Sequence, residues 1–260
     1  MEETRKIRDI AAEVVRETGK IAFQNIGELR TIEYKSARTD LVTDVDKRCE
    51  SIIIERIRKE YPDHAILAEE SGEKQGQSEY EWVVDPLDGT TNYAHRFPVF
   101  CVSIGVKRGD EVEVGVVYDP SRDELFEACR GKGALLNGSP IKVSSADAVR
   151  DSLLATGFAY NVEGKIANLD YFKRMLESAQ AVRRLGSAAI DLCYVACGRL
   201  DGFWELGLNP WDMAAAQLIV KEAGGMVTTM KGGQFDISKD DILASNGRIH
   251  EEMTDLFTNL

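Results

Sequence analysis

Two amphipathic helices are predicted near the start of the chain. Over residues 3–25, apolar side chains return every three or four positions, which is the spacing of one buried helix face. Gly27 suits the end of this helix. The second helix is predicted to begin at Thr43 or Asp44, which can cap free backbone N–H groups, and to stop before Pro62. Between the two helices we expect a short extended stretch and then a polar loop, at 31–35 and 36–43.

The middle of the chain changes to short apolar runs that are typical of strands. The turn Arg108-Gly109-Asp110 joins two of them and favours a hairpin, hence antiparallel pairing. The strands predicted for the first half are 65–68, 82–84, 100–106, 112–118 and 125–128.

From about residue 150, strands and helices alternate. The predicted strands are 152–156, 181–183, 202–205, 226–229 and 242–244, and the predicted helices are 165–179, 187–198, 211–223 and 247–258. The pattern indicates a mixed α/β protein with an antiparallel-rich first half and a βα-alternating second half. We therefore divide the chain into an N-terminal α+β subdomain, residues 1–148, and a C-terminal α/β subdomain, residues 149–260.

Composition narrows the function classes. Asp and Glu number 44 against 32 Lys and Arg, so the net charge is −12. This surplus argues against a nucleic acid as the main partner, and it fits a chain that gathers carboxylates around cations. No apolar run approaches the length of a membrane span, and the polar start predicts no signal peptide. The five cysteines are scattered without zinc-type spacing, so we expect free thiols in a reducing cytoplasm.

The most informative motif runs from Asp85 to Asn92 and reads DPLDGTTN. An apolar strand ends at Asp85, a second carboxylate follows at Asp88, and Gly89-Thr90 stand where a helix is expected to start. Free N–H groups at a helix start bind phosphate, and hard cations such as Mg²⁺ prefer carboxylate oxygens. The alternative is an Asx turn followed by a helix cap, which needs no metal ion.

Three further acidic segments strengthen the metal interpretation. Asp46 falls in the first turn of the second predicted helix, and Glu69-Glu70 end an apolar strand. Asp212 follows an Asn-Pro helix start, where it can also serve as a capping residue. Taken singly, each segment has a structural explanation, either as a favourable charge near a helix start or as a solvated loop.

These motifs resemble those of the inositol monophosphatase family, a group of Mg-dependent phosphatases of the lithium-sensitive type. The resemblance rests on the Asp85–Asn92 motif and on the segment from Trp211 to Ala216, WDMAAA, with Asp46 and Glu69-Glu70-Ser71 in the expected order. It covers the chain from the first predicted helix to the last. It implies a layered αβαβα sandwich, a homodimer, and two to three Mg²⁺ ions.

The resemblance also implies roles for the acidic residues. Asp85 is expected to bridge two ions, the first shared with Glu69 and the Leu87 carbonyl, and the second shared with Asp88 and Asp212. A water activated by the metal ions is expected to attack phosphorus directly, without a Cys or His nucleophile. The expected catalytic residues are Thr90, Asp46 and Glu69, with Thr90 hydrogen-bonded to Asp46 and orienting the water. Backbone N–H groups of Gly89 and Thr90 are expected to hold the phosphate.

Substrate contacts are expected mainly from the second half of the chain. The segment from Arg183 to Ala189, RRLGSAA, resembles the family segment that meets the substrate ring, with Arg183, Gly186 and Ser187 as the expected contacts. Glu205 matches the residue that binds ring hydroxyls, and Asp212 is expected to contact the substrate as well as a metal ion. Lys35 matches a family lysine near the metal ions. The expected substrate is a small phosphorylated polyol, with inositol 1-phosphate first.

Other substrates and one other class of protein stay open. Fructose 1,6-bisphosphate, alone or as a second substrate, a nucleotide 3′-phosphate and histidinol phosphate are the enzymatic alternatives. The non-enzymatic alternative is a regulatory binding protein on the same fold. That alternative predicts a broken metal ligand, whereas Glu69, Asp85, Asp88 and Asp212 are all present.

Overall fold

The first layer of the fold is a pair of helices. The computed structural model describes residues 2–27, 32–34, 41–159 and 162–258. Its first two helices are α1 (Glu2–Asn25) and α2 (Asp44–Glu60). Thr43 caps α2, because its hydroxyl accepts hydrogen bonds from the N–H groups of Val45 and Asp46 while the Asp46 carboxylate accepts the N–H of Thr43. Such a reciprocal box satisfies N–H groups that a helix start otherwise leaves free.

A two-stranded ribbon stands between these helices in the sequence. It consists of β1 (Ile32–Tyr34) and β2 (Leu41–Thr43), paired antiparallel. The prediction of a polar loop over 36–43 was therefore wrong at its end, because Leu41–Thr43 pair with β1. Residues 36–40 and Lys35 lie outside the described part of the chain.

The second layer is an eight-stranded sheet. Its strands lie in the order β10-β9-β8-β7-β6-β5-β3-β4, and among these neighbours only β3 and β5 run parallel. The strands are β3 (Ala65–Ala68), β4 (Gly72–Lys74), β5 (Tyr80–Asp88), β6 (Cys101–Arg108), β7 (Glu111–Asp119), β8 (Glu124–Cys129), β9 (Ala134–Leu136) and β10 (Ser139–Ile141).

The end of β5 departs from a regular strand. Asp85 pairs with Ser103 and Asp88 with Cys101, so three steps along β5 match two steps along β6. This bulge carries one extra residue and bends the strand. Gly89 follows with a φ of 92°, in the left-handed region that favours glycine, and opens the short helix α3 (Thr90–Ala94).

The second half of the chain forms a five-stranded sheet, in the order β12-β11-β13-β15-β14. The first three of these strands are parallel, and β15 runs antiparallel to β13 and β14. The strands are β11 (Leu153–Thr156), β12 (Ala181–Arg183), β13 (Gly202–Leu206), β14 (Met226–Thr228) and β15 (Asp241–Ser245). The helices are α4 (Val162–Ser178), α5 (Ala188–Ala196), α6 (Pro210–Glu222) and α7 (His250–Thr258).

Hydrophobic cores fill the interfaces between the five layers. Trp82 and Val84 of β5 pack with α1 and α2, whereas Val83 packs with α5 and α6. Phe203 of β13 joins the same central core, and its neighbour Trp204 packs with α4 and α7. Because adjacent residues of a strand point to opposite faces, each sheet is covered on both sides. The result is the αβαβα sandwich that the resemblance implied.

Most elements match their predictions to within a few residues. The exceptions are the three-residue strands β2, β4, β9 and β10, of which β2 was predicted as a loop and the other three were not indicated by the sequence pattern. The division of the chain at residues 148 and 149 stays a prediction. Among the described helices, none combines the length and the apolar character that a membrane span requires.

Candidate active site

Four acidic residues meet where β5 ends. Asp85 is 1% exposed, and burial raises its pKa well above the ordinary value. The carboxylates of Glu69, Asp88 and Asp212 raise the pKa further, in that order. These residues come from the end of β3, the bulge of β5 and the first turn of α6, so three elements bring negative charge to one place. Such a cluster is costly unless protons or cations compensate it.

Three of these carboxylates are held by protein hydrogen bonds, each through a single oxygen. Asp85 Oδ1 accepts the N–H of Leu87 at 2.9 Å. Asp88 Oδ2 accepts the Ser187 hydroxyl at 2.6 Å and the N–H of Ala189 at 2.8 Å. Asp212 Oδ2 accepts the N–H of Asn209 at 2.7 Å. The side chains are thus oriented before any ligand binds, while each keeps a second oxygen that these bonds do not use.

Glu69 is placed beside this cluster by its backbone. It directly follows β3, and its N–H donates to the Val84 carbonyl of the parallel strand β5 at 3.2 Å. Glu70 is fixed in turn, because its N–H donates to the buried Glu50 carboxylate at 2.8 Å. The two adjacent glutamates therefore leave the strand end in defined positions.

Thr90 links the acidic cluster to the start of α2. Its hydroxyl lies 3.0 Å from the Leu87 carbonyl oxygen and 3.3 Å from Asp46 Oδ1. Asp46 is fully buried, and burial raises its pKa to about 6, against the opposing effect of its hydrogen bonds from Thr43. A hydroxyl has one proton to donate, so Thr90 can give it to Asp46 and still accept a hydrogen bond from a water molecule.

A polar cavity adjoins the acidic cluster. Asp88, Ser187, Glu205 and Asp212 line it, together with the chain around Gly157. The structure therefore brings four of the eight predicted substrate-binding residues to this cavity: Gly186, Ser187, Glu205 and Asp212. A Cβ atom on Gly157 would lie 2.1 Å from either carboxylate oxygen of Glu205, so only glycine admits this close approach.

Among the predicted ring contacts, Glu205 has a strongly raised pKa. Burial raises its pKa to about 8, and Asp212 and Asp88 act in the same direction, while Arg184 opposes them. Its carboxyl group is thus set to hold a proton or to meet hydrogen-bond donors near neutral pH. Ser187 has two roles: its hydroxyl donates to Asp88 and also caps α5 by accepting a hydrogen bond from the N–H of Ile190 at 3.3 Å.

Of the predicted substrate contacts, Arg183 and Lys35 are placed by the described structure neither in this cavity nor beside the acidic cluster. Arg183 is exposed at the end of β12, where its guanidinium donates to the Val182 carbonyl oxygen. Lys35 lies outside the described residues. Gly89 and Leu87 stand beside the acidic cluster, in the segment that joins β5 to α3.

The cavity wall also contains residues that were not predicted as contacts, among them Gly157, Asp191 and Arg184, the last of which lies within the predicted ring-contact segment. Asp191 is 1% exposed, and its Oδ1 has no hydrogen-bond partner among the described residues. Its place in the first turn of an otherwise apolar helix, α5, was an available signal, because an unpaired charge there is costly to bury. Gly157 carried no comparable signal.

The residues of the cluster fit a hard divalent cation. The charged groups that act most strongly on Asp85 are all acidic, so a cation is the natural compensation. Oxygen donors from several carboxylates are what Mg²⁺ prefers, with water completing its coordination. Within the described residues, no three acidic, His or Cys side chains already stand as a finished coordination set. The site is therefore one that an ion and its waters would complete.

Comparison with known proteins supports this interpretation. The model of the inositol monophosphatase family matches residues 3–259. An inositol-1-monophosphatase from Synechocystis is 51% identical over 95% of this chain and 86% of that protein. Nus factor SuhB from Escherichia coli is 44% identical over 94% of this chain and 93% of its own length.

The fold comparison agrees with the sequence comparison. The structure of inositol monophosphatase from Anabaena (Nostoc) sp. PCC 7120 superposes with a TM-score of 0.89 and 42% identity, over 98% of this chain and 96% of that one. Sequence, fold and site therefore agree. The chain belongs to the inositol monophosphatase family of metal-dependent phosphatases and is a phosphomonoesterase.

Proposed function

We propose that this enzyme hydrolyses inositol 1-phosphate to inositol and phosphate with Mg²⁺ as its cofactor. One observation carries the proposal: the acidic cluster around Asp85 opens beside a cavity in which Glu205, a buried carboxyl group, faces the substrate space. A phosphate can be held at the first feature while ring hydroxyls meet the second. The similarity to the Synechocystis inositol-1-monophosphatase supports the same substrate.

The metal ligands we propose are those of the family motif. Glu69, Asp85 and the Leu87 carbonyl would hold one ion, and Asp85, Asp88 and Asp212 a second, with Glu69 contributing to a third. Bound Mg²⁺ supplies Lewis-acid stabilisation of the phosphoryl oxygens and lowers the pKa of water. The fixed oxygens of Asp85, Asp88 and Asp212 support this assignment, because ligands that are already oriented need little rearrangement when an ion binds.

Thr90 and Asp46 would orient the attacking water through hydrogen bonds. We propose that Thr90 Oγ1 accepts a hydrogen bond from the water while it donates its own proton to Asp46 Oδ1, 3.3 Å away. This arrangement orients the oxygen lone pair of the water toward phosphorus. The N–H groups of Gly89 and Thr90 would hold the phosphate. Glycine at residue 89 allows this backbone to pack closely, because a Cβ there would lie 2.8 Å from the Val99 carbonyl oxygen.

Recognition of the ring is assigned to the buried carboxylate and the helix cap. Glu205 would accept hydrogen bonds from two neighbouring hydroxyls, and Ser187 with Gly186 would form the adjoining wall. A polyol that lacks these hydroxyls would leave a buried carboxylate unpaired, which is how such a contact yields selectivity.

We further propose that the enzyme works as a homodimer in the cytoplasm. Three large apolar side chains of α4 support the dimer, because Ile166, Leu169 and Leu176 are 61%, 53% and 55% exposed. They recur at spacings of three and seven along the helix, which places them on one side of it. The free cysteines of the described chain are compatible with a reducing compartment.

Phosphate release tests the function directly. Inositol 1-phosphate, fructose 1,6-bisphosphate and adenosine 3′,5′-bisphosphate are each incubated with the enzyme in Mg²⁺ and in EDTA. We expect release only with Mg²⁺ and the highest kcat/KM for inositol 1-phosphate. A higher value for either of the other compounds would move the assignment to that substrate, and release that persists in EDTA would refute the metal mechanism.

A second role is suggested by the name of one relative, Nus factor SuhB, with which this chain shares 44% identity. A binding role of that kind would accompany catalysis rather than replace it, because all four metal-site carboxylates are present. Complementation of an Escherichia coli strain that lacks SuhB, by the wild type and by the catalytically impaired Asp85→Asn variant, separates the two roles. Growth restored by both would establish a binding role.

A further inference from the structure

Arg184 is a cation on the wall of the substrate cavity. It stands between the end of β12 and Gly186, whose φ of 91° turns the chain toward α5. A Cβ atom on Gly186 would lie 2.6 Å from one guanidinium nitrogen of Arg184. The arginine head group is therefore folded against the glycine backbone at the cavity wall, which it lines together with Asp88 and Glu205.

The guanidinium of Arg184 is not used by the protein itself. Within the described part of the chain, it makes neither a hydrogen bond nor an ion pair. Other arginines differ, since Arg199 pairs with Glu124 at 2.5 Å and Arg122 with Asp119 at 2.9 Å. A planar group with five N–H donors thus faces a ligand cavity with its donors unengaged by the described residues.

The charges around Arg184 set what it can bind. Burial raises the pKa of both Glu205 and Asp191, and the positive charge of Arg184 opposes this rise, yet Arg184 forms a salt bridge with neither. Glu205 is the group proposed to meet hydroxyls, and Arg184 lines the same cavity, so a ring bound at Glu205 has this cation as a neighbour in the cavity wall. An anionic substituent on that ring is the group that a guanidinium fork recognises best.

We propose that Arg184 forms a second anion subsite, which binds a second phosphate group on the substrate polyol. The inference rests on the proposed phosphatase function and extends it from monophosphates to bisphosphorylated polyols. The first phosphate is held at the acidic cluster with its cations, the ring at Glu205, and the second phosphate at the Arg184 guanidinium. The reaction at the first phosphate is unchanged, so the subsite acts on binding rather than on chemistry.

Two pairs of compounds that differ by one phosphate test the subsite. They are inositol 1-phosphate with inositol 1,4-bisphosphate, and fructose 1-phosphate with fructose 1,6-bisphosphate, all at one fixed concentration of free Mg²⁺. For at least one pair, we expect the wild type to show a lower KM for the bisphosphate. Arg184→Gln should raise that KM about 10- to 100-fold, the loss expected for hydrogen bonds to a charged group, and change the monophosphate KM by less than about threefold.

Two further variants separate binding from a structural role. Arg184→Lys keeps the charge but loses the fork, so it should recover part of the bisphosphate affinity while kcat stays near the wild-type value. Arg150→Gln removes the same charge from a side chain that is 82% exposed, and it should leave both KM values as they are. Recovery by lysine together with a silent Arg150 variant would assign the effect to position 184.

The outcomes distinguish this inference from the function it rests on. Equal losses on mono- and bisphosphates in Arg184→Gln, or no preference of the wild type for either bisphosphate, would overturn the subsite while the phosphatase assignment stands. Absence of turnover on every compound would overturn the assignment itself. Calorimetric titration of inositol 1,4-bisphosphate and fructose 1,6-bisphosphate into both proteins with Ca²⁺, a hard cation that takes oxygen ligands, then tests the subsite by affinity alone.

Discussion

At the scale of single residues, Glu205 shows how surroundings set the state of a side chain. Burial, with Asp212 and Asp88 nearby, raises its pKa to about 8 in the folded protein. The ordinary value is 4.5, so between these two pH values the folded protein holds a proton that the unfolded chain releases. The free energy of unfolding therefore falls as pH rises through this window, and it changes no further from this group above its folded pKa.

Replacing Glu205 with Gln should remove this pH dependence. Glutamine stays neutral, so in EDTA the variant should melt higher than the wild type by on the order of 5 °C near pH 8. Near pH 4.5 both side chains are uncharged, and the two melting temperatures should agree within about 2 °C. Thermal melts of the metal-free proteins across this range provide the measurement. Parallel curves for the two proteins would show that Glu205 does not carry the effect.

The same position should discriminate between substrates. Glu205→Ala should lower kcat/KM for inositol 1-phosphate about tenfold or more, because the ring hydroxyls lose a buried hydrogen-bond partner. For a small phosphate ester without ring hydroxyls the loss should be much smaller. Steady-state kinetics on both esters with one enzyme preparation make the comparison. Equal losses on the two esters would show that Glu205 does not contact the ring.

Asp85 should be required for turnover but not for the fold. Asp85→Asn removes the charge of a proposed bridging metal ligand, and we expect kcat to fall about a thousandfold or more. Because the substitution also relieves repulsion among buried carboxylates, the metal-free variant should melt no lower than the wild type. Mg²⁺ should raise the melting temperature of the wild type and have little effect on the variant. Near-normal turnover at saturating Mg²⁺ would contradict the metal assignment.

Some residues of this site could be predicted from the sequence, and others could not. Asp85, Asp88 and Asp212 could be found because each stands at a strand end or helix start inside a dense motif. Arg184 could not be singled out, because its role depends on a cavity that the segments following β11 and β12 form together with β13 and α5. Asp191 did offer a signal, as an acidic residue in the first turn of an apolar helix. Arg183 and Arg184 are adjacent in sequence, and only the fold shows which of them lines the cavity.

At the scale of elements, helix α6 is closely packed in the centre of the fold. It packs between the two sheets, and its residues Ala214 and Ala215 meet glycines of the facing strands. A Cβ on Gly115 of β7 would lie 2.3 Å from the Ala215 carbonyl oxygen, and one on Gly105 of β6 would lie 2.7 Å from Ala214 Cβ. The helix also carries Asp212, so its distance from the sheet helps to position a proposed metal ligand.

Gly115→Ala should therefore disturb both stability and activity. The added methyl group meets helix backbone rather than a flexible side chain, so we expect a loss of about 1–3 kcal/mol in the free energy of unfolding. Displacement of α6 should also lower the affinity for Mg²⁺, so that half-maximal turnover requires a higher Mg²⁺ concentration. Urea unfolding and a Mg²⁺ titration of activity are the measurements. An unchanged unfolding midpoint would show that α6 can move away from the sheet without cost.

Local signals explain which elements were predictable. Helices such as α1 have many turns of apolar periodicity, and α2 and α6 begin at recognisable caps, so their ends were found to within a few residues. The strands β4, β9 and β10 are three residues long and owe their pairing to neighbouring strands. Strand β2 was taken for a loop for the same reason, since it exists only through its pairing with β1.

At the scale of the whole molecule, the apolar stripe of α4 raises the question of a partner. Residues Ile166, Leu169 and Leu176 are each more than half exposed on a helix that covers the outer face of the five-stranded sheet. An exposed apolar stripe on an otherwise acidic protein is a common mark of an interface. A second copy of the chain is the partner that the family resemblance implies, and a two-fold interface would bring the same stripe from each subunit together.

The mass in solution tests this interface. The chain has a mass of 28.9 kDa, and we expect sedimentation at twice that value. Leu169→Glu places a charge in the centre of the stripe and should shift the protein toward the monomer, because two such charges would meet across a two-fold axis. Met226→Glu is the matched control, since Met226 is 47% exposed on a different element, β14, and its substitution should leave the mass unchanged. A wild type that sediments at 28.9 kDa at all concentrations would refute the dimer, whereas a dimer unaffected by Leu169→Glu would move the interface away from α4.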